Sequence, residues 1–133
     1  MNEQNINPGI FGLGNPNNAY SQYFSGRSWL KMLTVERLVT ANVTFEAGCR
    51  NNWHVHHKGG QILLVTARGW YQAYGEPPRS LKPGDVVNIP PEVKHWHGAA
   101  KDSSFAHIAI EVPAEGSSNE WLEPVSDEDY AKL

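Results

Sequence analysis

The chain has 133 residues, of which 40% are hydrophobic and 19% charged, with a formal net charge of −3. That length is enough for one domain with a single buried core, and scattered Lys and Arg residues under a slight acidic excess give no electrostatic basis for binding nucleic acid or an anionic membrane. The one cysteine, Cys49, excludes an internal disulfide and fits a reducing compartment.

The start, MNEQNINPGIFGLG, lacks the basic segment and apolar run of a secretory leader. No stretch approaches the roughly 18 apolar residues of a membrane span, so the expected location is cytoplasmic. Residues 1–22 are rich in Asn, Gly and Pro and read as an irregular N-terminal arm, with the domain proper over 23–133. WLKML comes first, then VERLVTANVTFE, where Val39, Ala41, Val43 and Phe45 alternate with Thr40, Asn42, Thr44 and Glu46. That is the period of a half-buried strand. WHVH, QILLVTA, GWYQAYG, DVVNIP, HWHGAA and FAHIAIEV follow as further strands, separated by turn signals at Gly59-Gly60, Pro77-Pro78, Pro83-Gly84 and Pro90-Pro91. Many short strands with close turn punctuation predict an all-β sandwich or barrel. In the tail, Ser126 is an N-cap candidate with acidic residues after it, which predicts a short C-terminal helix over 126–133.

Side chains alternate faces along a strand. His54 and His56 therefore share a face in WHVH, and His95 and His97 share one in HWH. Gln61 shares a face with Leu63 and Val65, and His107 one with Ala109. If these faces line a barrel interior, five of the six histidines and a glutamine meet in one cavity. Neutral imidazole is the commonest protein metal ligand. The expected cage is His54, His56, Gln61 and His95. Its neutral carboxamide oxygen leaves the ion a stronger Lewis acid than a carboxylate would. His57 is read as a loop residue of opposite parity, with replacement of a ligand as the alternative. Lys58 and Lys94 are read as outward-pointing charges and Cys49 as structural.

With these residues in place the chain resembles a cupin. Gly48, His54, His56 and Gln61 follow the first cupin motif, with Gln where Glu is usual and Gly69 one residue further than the pattern. Gly84, Pro90 and His95 fall in the second motif, with Glu92 where the family prefers Gly and Ala99 where it has Asn. GCRNNWHVH, GGQILLVTARGWYQ, PGDVVNIPPEVKHWHGAA, FAHIAI and EWLEPVSDEDY are similar to small bacterial single-domain cupins, among them the manganese-dependent hydroxynitrile lyases of cupin fold and the cupins associated with carboxymuconolactone decarboxylases.

The resemblance implies a double-stranded β-helix, or jelly-roll, barrel. It implies His54, His56, Gln61 and His95 as ligands of one divalent transition metal, with Mn(II) favoured and Fe(II), Ni(II) or Zn(II) as alternatives. It further implies His97 and His107 as the acid–base pair, and a homodimer or higher homo-oligomer. Imidazoles of unperturbed pKa near 6.5 would exchange protons near neutrality. The leading expectation is a metal-dependent lyase or isomerase acting on a small oxygenated compound. A metal-dependent dioxygenase and a non-catalytic small-molecule binding module are the alternatives. Arg50, four residues before His54, is a candidate for holding an anionic substrate. Trp53, Trp70, Tyr74, Trp96 and Phe105 are candidate walls of the substrate cavity.

Overall fold

The computed structural model describes residues 6–133, so the first five positions of the predicted arm lie outside the described residues. Thirteen strands, a short 3-10 helix (Ser21–Tyr23) and one α-helix lie among the described residues: β1 (Asn15–Pro16), β2 (Phe24–Ser25), β3 (Ser28–Thr34), β4 (Thr40–Phe45), β5 (Arg50–Asn51), β6 (His54–His57), β7 (Gln61–Ala67), β8 (Gly69–Ala73), β9 (Arg79–Leu81), β10 (Val86–Ile89), β11 (His95–Gly98), β12 (Phe105–Glu111), β13 (Ser118–Trp121) and α1 (Asp127–Ala131). A six-stranded sheet runs β1-β3-β4-β12-β7-β10. A seven-stranded sheet runs β13-β6-β11-β5-β2, with β8 pairing β11 and β9. The pairings are antiparallel. The all-β prediction holds, as does the short C-terminal helix.

Strand parity decides what faces the interior. In β7, Gln61, Leu63, Val65 and Ala67 are buried while Ile62, Leu64 and Thr66 are half-buried. Val43, Phe45, Leu63, Val65, Leu81, Ile89 and Phe105 make the core between the sheets. β4 is buried on both faces, because the N-terminal arm lies over its outer side. Asn42 Nδ2 donates to Pro8 O at 2.9 Å and to Gly12 O at 2.8 Å, and Asn7 N–H donates to Ser104 Oγ at 2.9 Å. The arm is therefore less irregular than its composition predicts. It adds β1 to the sheet edge, and Gly14 passes so close to β3 that a Cβ there would meet Leu30 O at 2.2 Å.

The outer face of the seven-stranded sheet is closed by the tail. Trp96, Val125 and Tyr130 form a second apolar cluster, with Trp53, Trp70 and Leu133 packed against it. Ser126 caps α1 as predicted, its hydroxyl accepting from Asp129 N–H at 3.1 Å. Tyr130 donates its hydroxyl proton to Ala99 O at 2.6 Å.

Arg50 belongs to this closure, which corrects its reading as a substrate-holding group. Its Nη2 donates to Val125 O at 3.1 Å and to Asp127 Oδ1 at 2.5 Å, and its guanidinium sits 4.3 Å from the Tyr130 ring centroid. The side chain is committed to the tail, and Arg50 is absent from the cavity lining. Replacing this buried charged donor leaves Val125 O without its partner, while the exposed Asp127 carboxylate turns to water, at a cost of about 2 kcal/mol. Arg50→Met should lower the unfolding midpoint by roughly 5–10 °C and open the C-terminal segment to proteolysis. A scanning-fluorimetry midpoint equal to that of the parent would show that the guanidinium does not hold the tail.

Candidate metal centre

The two sheets enclose a cavity of about 560 Å³. His54 and His56 reach it from β6, His97 from β11, and Gln61 and His107 from the opposite sheet. The rings of His54, His56 and His95 form a tight group, with centroids 4.1 Å apart for His54–His95 and 5.1 Å for each of the other two pairs. His95 pairs directly with His54 across the β6–β11 ladder. One ring nitrogen each of His54, His95 and His97 also lies within 4.8 Å of the other two. Two histidine triads thus share His54 and His95.

Hydrogen bonding separates the two. His54 Nδ1 lies 2.8 Å from Asn52 O and His95 Nδ1 lies 2.9 Å from Val93 O, each the carbonyl two residues upstream. His56 Nδ1 lies 2.7 Å from Asn119 Oδ1 on β13, whose residue pairs with His56 in register. Each acceptor fixes the Nδ1–H tautomer and leaves Nε2 as a lone-pair donor, the arrangement found behind metal-bound histidines. Nε2 of His56 and of His95 is buried without a hydrogen-bond partner. His97 is occupied differently. Asn51 Oδ1 accepts from its main-chain N–H at 3.0 Å, and Asn51 Nδ2 lies 3.3 Å from ring Nδ1 and 3.2 Å from Nε2. A ring nitrogen engaged by an amide donor is not free to ligate. The orphaned nitrogens of His56 and His95, with His54 packed between them, therefore fit a divalent ion, and Gln61 lines the same cavity from the opposite sheet.

Gln61 is buried, and its Nε2 donates to Glu111 Oε1 at 2.5 Å. His107 is buried with both ring nitrogens unpartnered, and its ring stands edge-on to His97 at 4.9 Å. Burial drives the pKa of His107 down to about 3 and that of His95 to about 4, and burial followed by neighbouring imidazoles holds His54 and His97 well below the usual value. The expectation of unperturbed imidazoles is corrected accordingly: burial disfavours the cation. All four are neutral near pH 7, which is the form a metal ligand or a general base requires.

His57 stays out of the cavity's nitrogen group, its two ring nitrogens taken up by Glu92 at 2.6 Å and Glu120 at 2.8 Å on the surface. Cys49 is fully buried, and burial, then the Glu46 charge, push its thiol far up, which suits a structural residue. The aromatic walls are corrected. Trp53, Trp70 and Trp96 pack under the C-terminal tail, Tyr74 is exposed, and Phe105 is core. The cavity takes its aromatic side from Tyr20, Phe24, Phe45 and Trp121, and its aliphatic side from Leu30, Met32, Val39, Ala41 and Val43.

No family model matches the chain. It is similar to an (R)-mandelonitrile lyase of Granulicella tundricola, at 41% identity over 92 residues, which is 69% of this chain and 70% of that protein. A crystal structure of a cupin-like protein from Thermotoga maritima superposes with a TM-score of 0.85 at 45% identity, covering 92% of this chain and 95% of that one. The chain belongs to the cupin family. A DMSP lyase of Ruegeria pomeroyi shares the cupin fold at a TM-score of 0.62 and 18% identity, covering 92% of this chain and 62% of the other.

Several residues that shape this cupin's site do not announce themselves in the sequence. Asn51, Glu111, Asn119 and Trp121 each act across strands, the hydrogen-bonded partners of the first three lying 46, 50 and 63 residues away. Asn119 and Trp121 sit on β13, a segment with no strand-like run of β-branched residues. The ring of Trp121 lies 4.7 Å from His54, and its parity with Asn119 is the one signal the chain offers. Loss of the carboxamide behind His56 should weaken divalent-metal affinity about 10–100-fold. Chelator competition on Asn119→Ala measures this, and an affinity equal to the parent's would remove His56 from the ligand set.

Proposed function

We propose that this cupin is a metal-dependent lyase or isomerase that acts on a small oxygenated compound, with His54, His56, His95 and Gln61 holding one divalent transition ion, Mn(II) being favoured. The observation that carries the reading is the set of buried, unpartnered imidazole nitrogens: those of His56 and His107 line one cavity, and that of His95 belongs to a ring packed against His54 and His56. Such an ion supplies Lewis acidity towards a substrate oxygen.

The chain's own groups do the rest. His107 faces the cavity with no side-chain partner for either ring nitrogen, only the main chain of Ile108 lying close, so the lone pair of its neutral ring is available to take a proton. Asn51 holds His97 beside it and fixes the orientation of that ring. Leu30, Met32, Ala41 and Val43 on one side and Tyr20, Phe24 and Trp121 on the other suit an aromatic or alicyclic body. The volume lies within the range of small-molecule sites.

Cyanohydrin cleavage is the version supported by the similarity to the mandelonitrile lyase. His107 would accept the hydroxyl proton, the bond to the nitrile carbon would break with its electron pair leaving on cyanide, and the carbonyl would form. The protonated His107 would then return the proton to cyanide, so atoms and charge balance. Decarboxylation or tautomerisation of a keto acid or lactone needs the same two elements, a polarised oxygen and a nearby base.

A general base contributes about 10²–10⁴-fold to rate. His107→Ala should therefore lower the release of benzaldehyde from mandelonitrile by at least about 100-fold while the metal content, read by elemental analysis, stays at the parent's level. Unchanged turnover in that variant would remove His107 from proton transfer. Oxygen uptake by iron-loaded protein, with no lyase or isomerase turnover under any metal, would move the reading to the dioxygenase.

A further inference from the structure

Gln61 stands where cupins usually carry a glutamate, and the structure puts a glutamate directly behind it. Gln61 and Glu111 face each other across the β7–β12 ladder, at its last paired position. Gln61 Nε2 donates to Glu111 Oε1 at 2.5 Å, and both residues line the cavity. Glu111 is itself anchored, its main-chain N–H donating to Val39 O at 3.1 Å just beyond the end of the β4 pairing. Glu111 makes no ion pair among the described residues, so no cation diverts its charge from the amide.

An ionised carboxylate only accepts hydrogen bonds, while a carboxamide has one donating and one accepting end. The amide therefore has one orientation that satisfies Glu111: NH₂ towards the carboxylate, and oxygen free. A metal ion needs that same oxygen. The geometry points to Glu111 as a positioning residue of the metal centre. It locks the Gln61 carboxamide oxygen-forward and polarises it, so that a neutral ligand donates more strongly than a freely rotating one. This inference rests on the metal-centre reading given above. It is the carboxamide counterpart of a carboxylate set behind a metal-bound histidine. The negative charge that the substitution of Gln for Glu removes from the ligand set returns one hydrogen bond further out.

Cobalt(II) is a suitable probe because its affinity and its visible spectrum are read separately. Glu111→Gln should weaken Co(II) binding about 10–100-fold in chelator competition and shift the Co(II) spectrum, since a Gln–Gln pair allows either end of the Gln61 amide to face the ion. Thermal stability of the metal-free protein should stay within about 2 °C of the parent, a shift on the order of a few tenths of a kcal/mol. In a Gln61→Ala background the same change should move Co(II) affinity by less than about twofold, the mark of two residues acting as one unit. An equal loss in both backgrounds would overturn the inference by making Glu111 an independent contributor. A Glu111→Gln protein with the parent's affinity and spectrum would also overturn it, as would one whose metal-free form is destabilised in parallel. The two readings separate on His54→Ala. If that variant loses Co(II) while Glu111→Gln keeps it, only the Glu111 role falls. If the parent protein takes up no Co(II), both fall.

Discussion

A buried imidazole can offer a lone pair on one nitrogen only while the other nitrogen is protonated and hydrogen-bonded, and the interior of this barrel is organised around that requirement. Asn52 O, Val93 O and Asn119 Oδ1 each hold the Nδ1 of one histidine, His54, His95 and His56 in turn, which leaves Nε2 as the atom with a lone pair to offer. Two of the three acceptors are main-chain carbonyls two residues before the histidine, so the local strand geometry itself sets the tautomer. The third draws β13 onto β6. An unpartnered buried polar atom costs about 1–3 kcal/mol, against a net stability of about 5–15 kcal/mol for a domain. Nε2 of His56 and of His95 and both nitrogens of His107 are such atoms. A fold keeps that many only where the apolar closure is ample and the nitrogens have another use.

The electrostatics of the site differ from what the ligand types alone imply. Taken by itself, Gln61 would add no charge to the proposed cage and would leave a bound ion strongly Lewis-acidic. With Glu111 behind it, the cavity regains a carboxylate that is close enough to tune the amide. His97 and His107 change character too. In a polar groove they would share a proton near neutrality, whereas burial here disfavours their cationic forms.

Strand parity makes the barrel and its inward histidines legible in the amino-acid sequence, because period-two alternation is a local property of the chain. QILLVTA coincides with β7 residue for residue. Parity also contains the correction to the aromatic walls, since Trp96 lies between two inward histidines and must face outward. The role of Arg50 escapes the sequence for a different reason. Its partners, Val125 and Asp127, lie 75 and 77 residues downstream, and nothing around position 50 discloses them. Asn51, Glu111 and Asn119 are hidden in the same way. Their roles come from register between distant strands, which neither composition nor spacing encodes. The arm reads as irregular because Asn, Gly and Pro suppress strand signals, yet its main-chain carbonyls find Asn42.

The proposed ligands divide between the two sheets: His54, His56 and His95 on one, Gln61 on the other. An ion bound there would work as a rivet between the two halves of the barrel. In the unfolded chain the same groups are spread from position 54 to position 95, with no more than an H-x-H pair at hand. Metal uptake and sheet closure would then be one linked equilibrium, in which free metal raises resistance to unfolding with the logarithm of its concentration. The cell's metal supply would set how tightly this barrel stays shut.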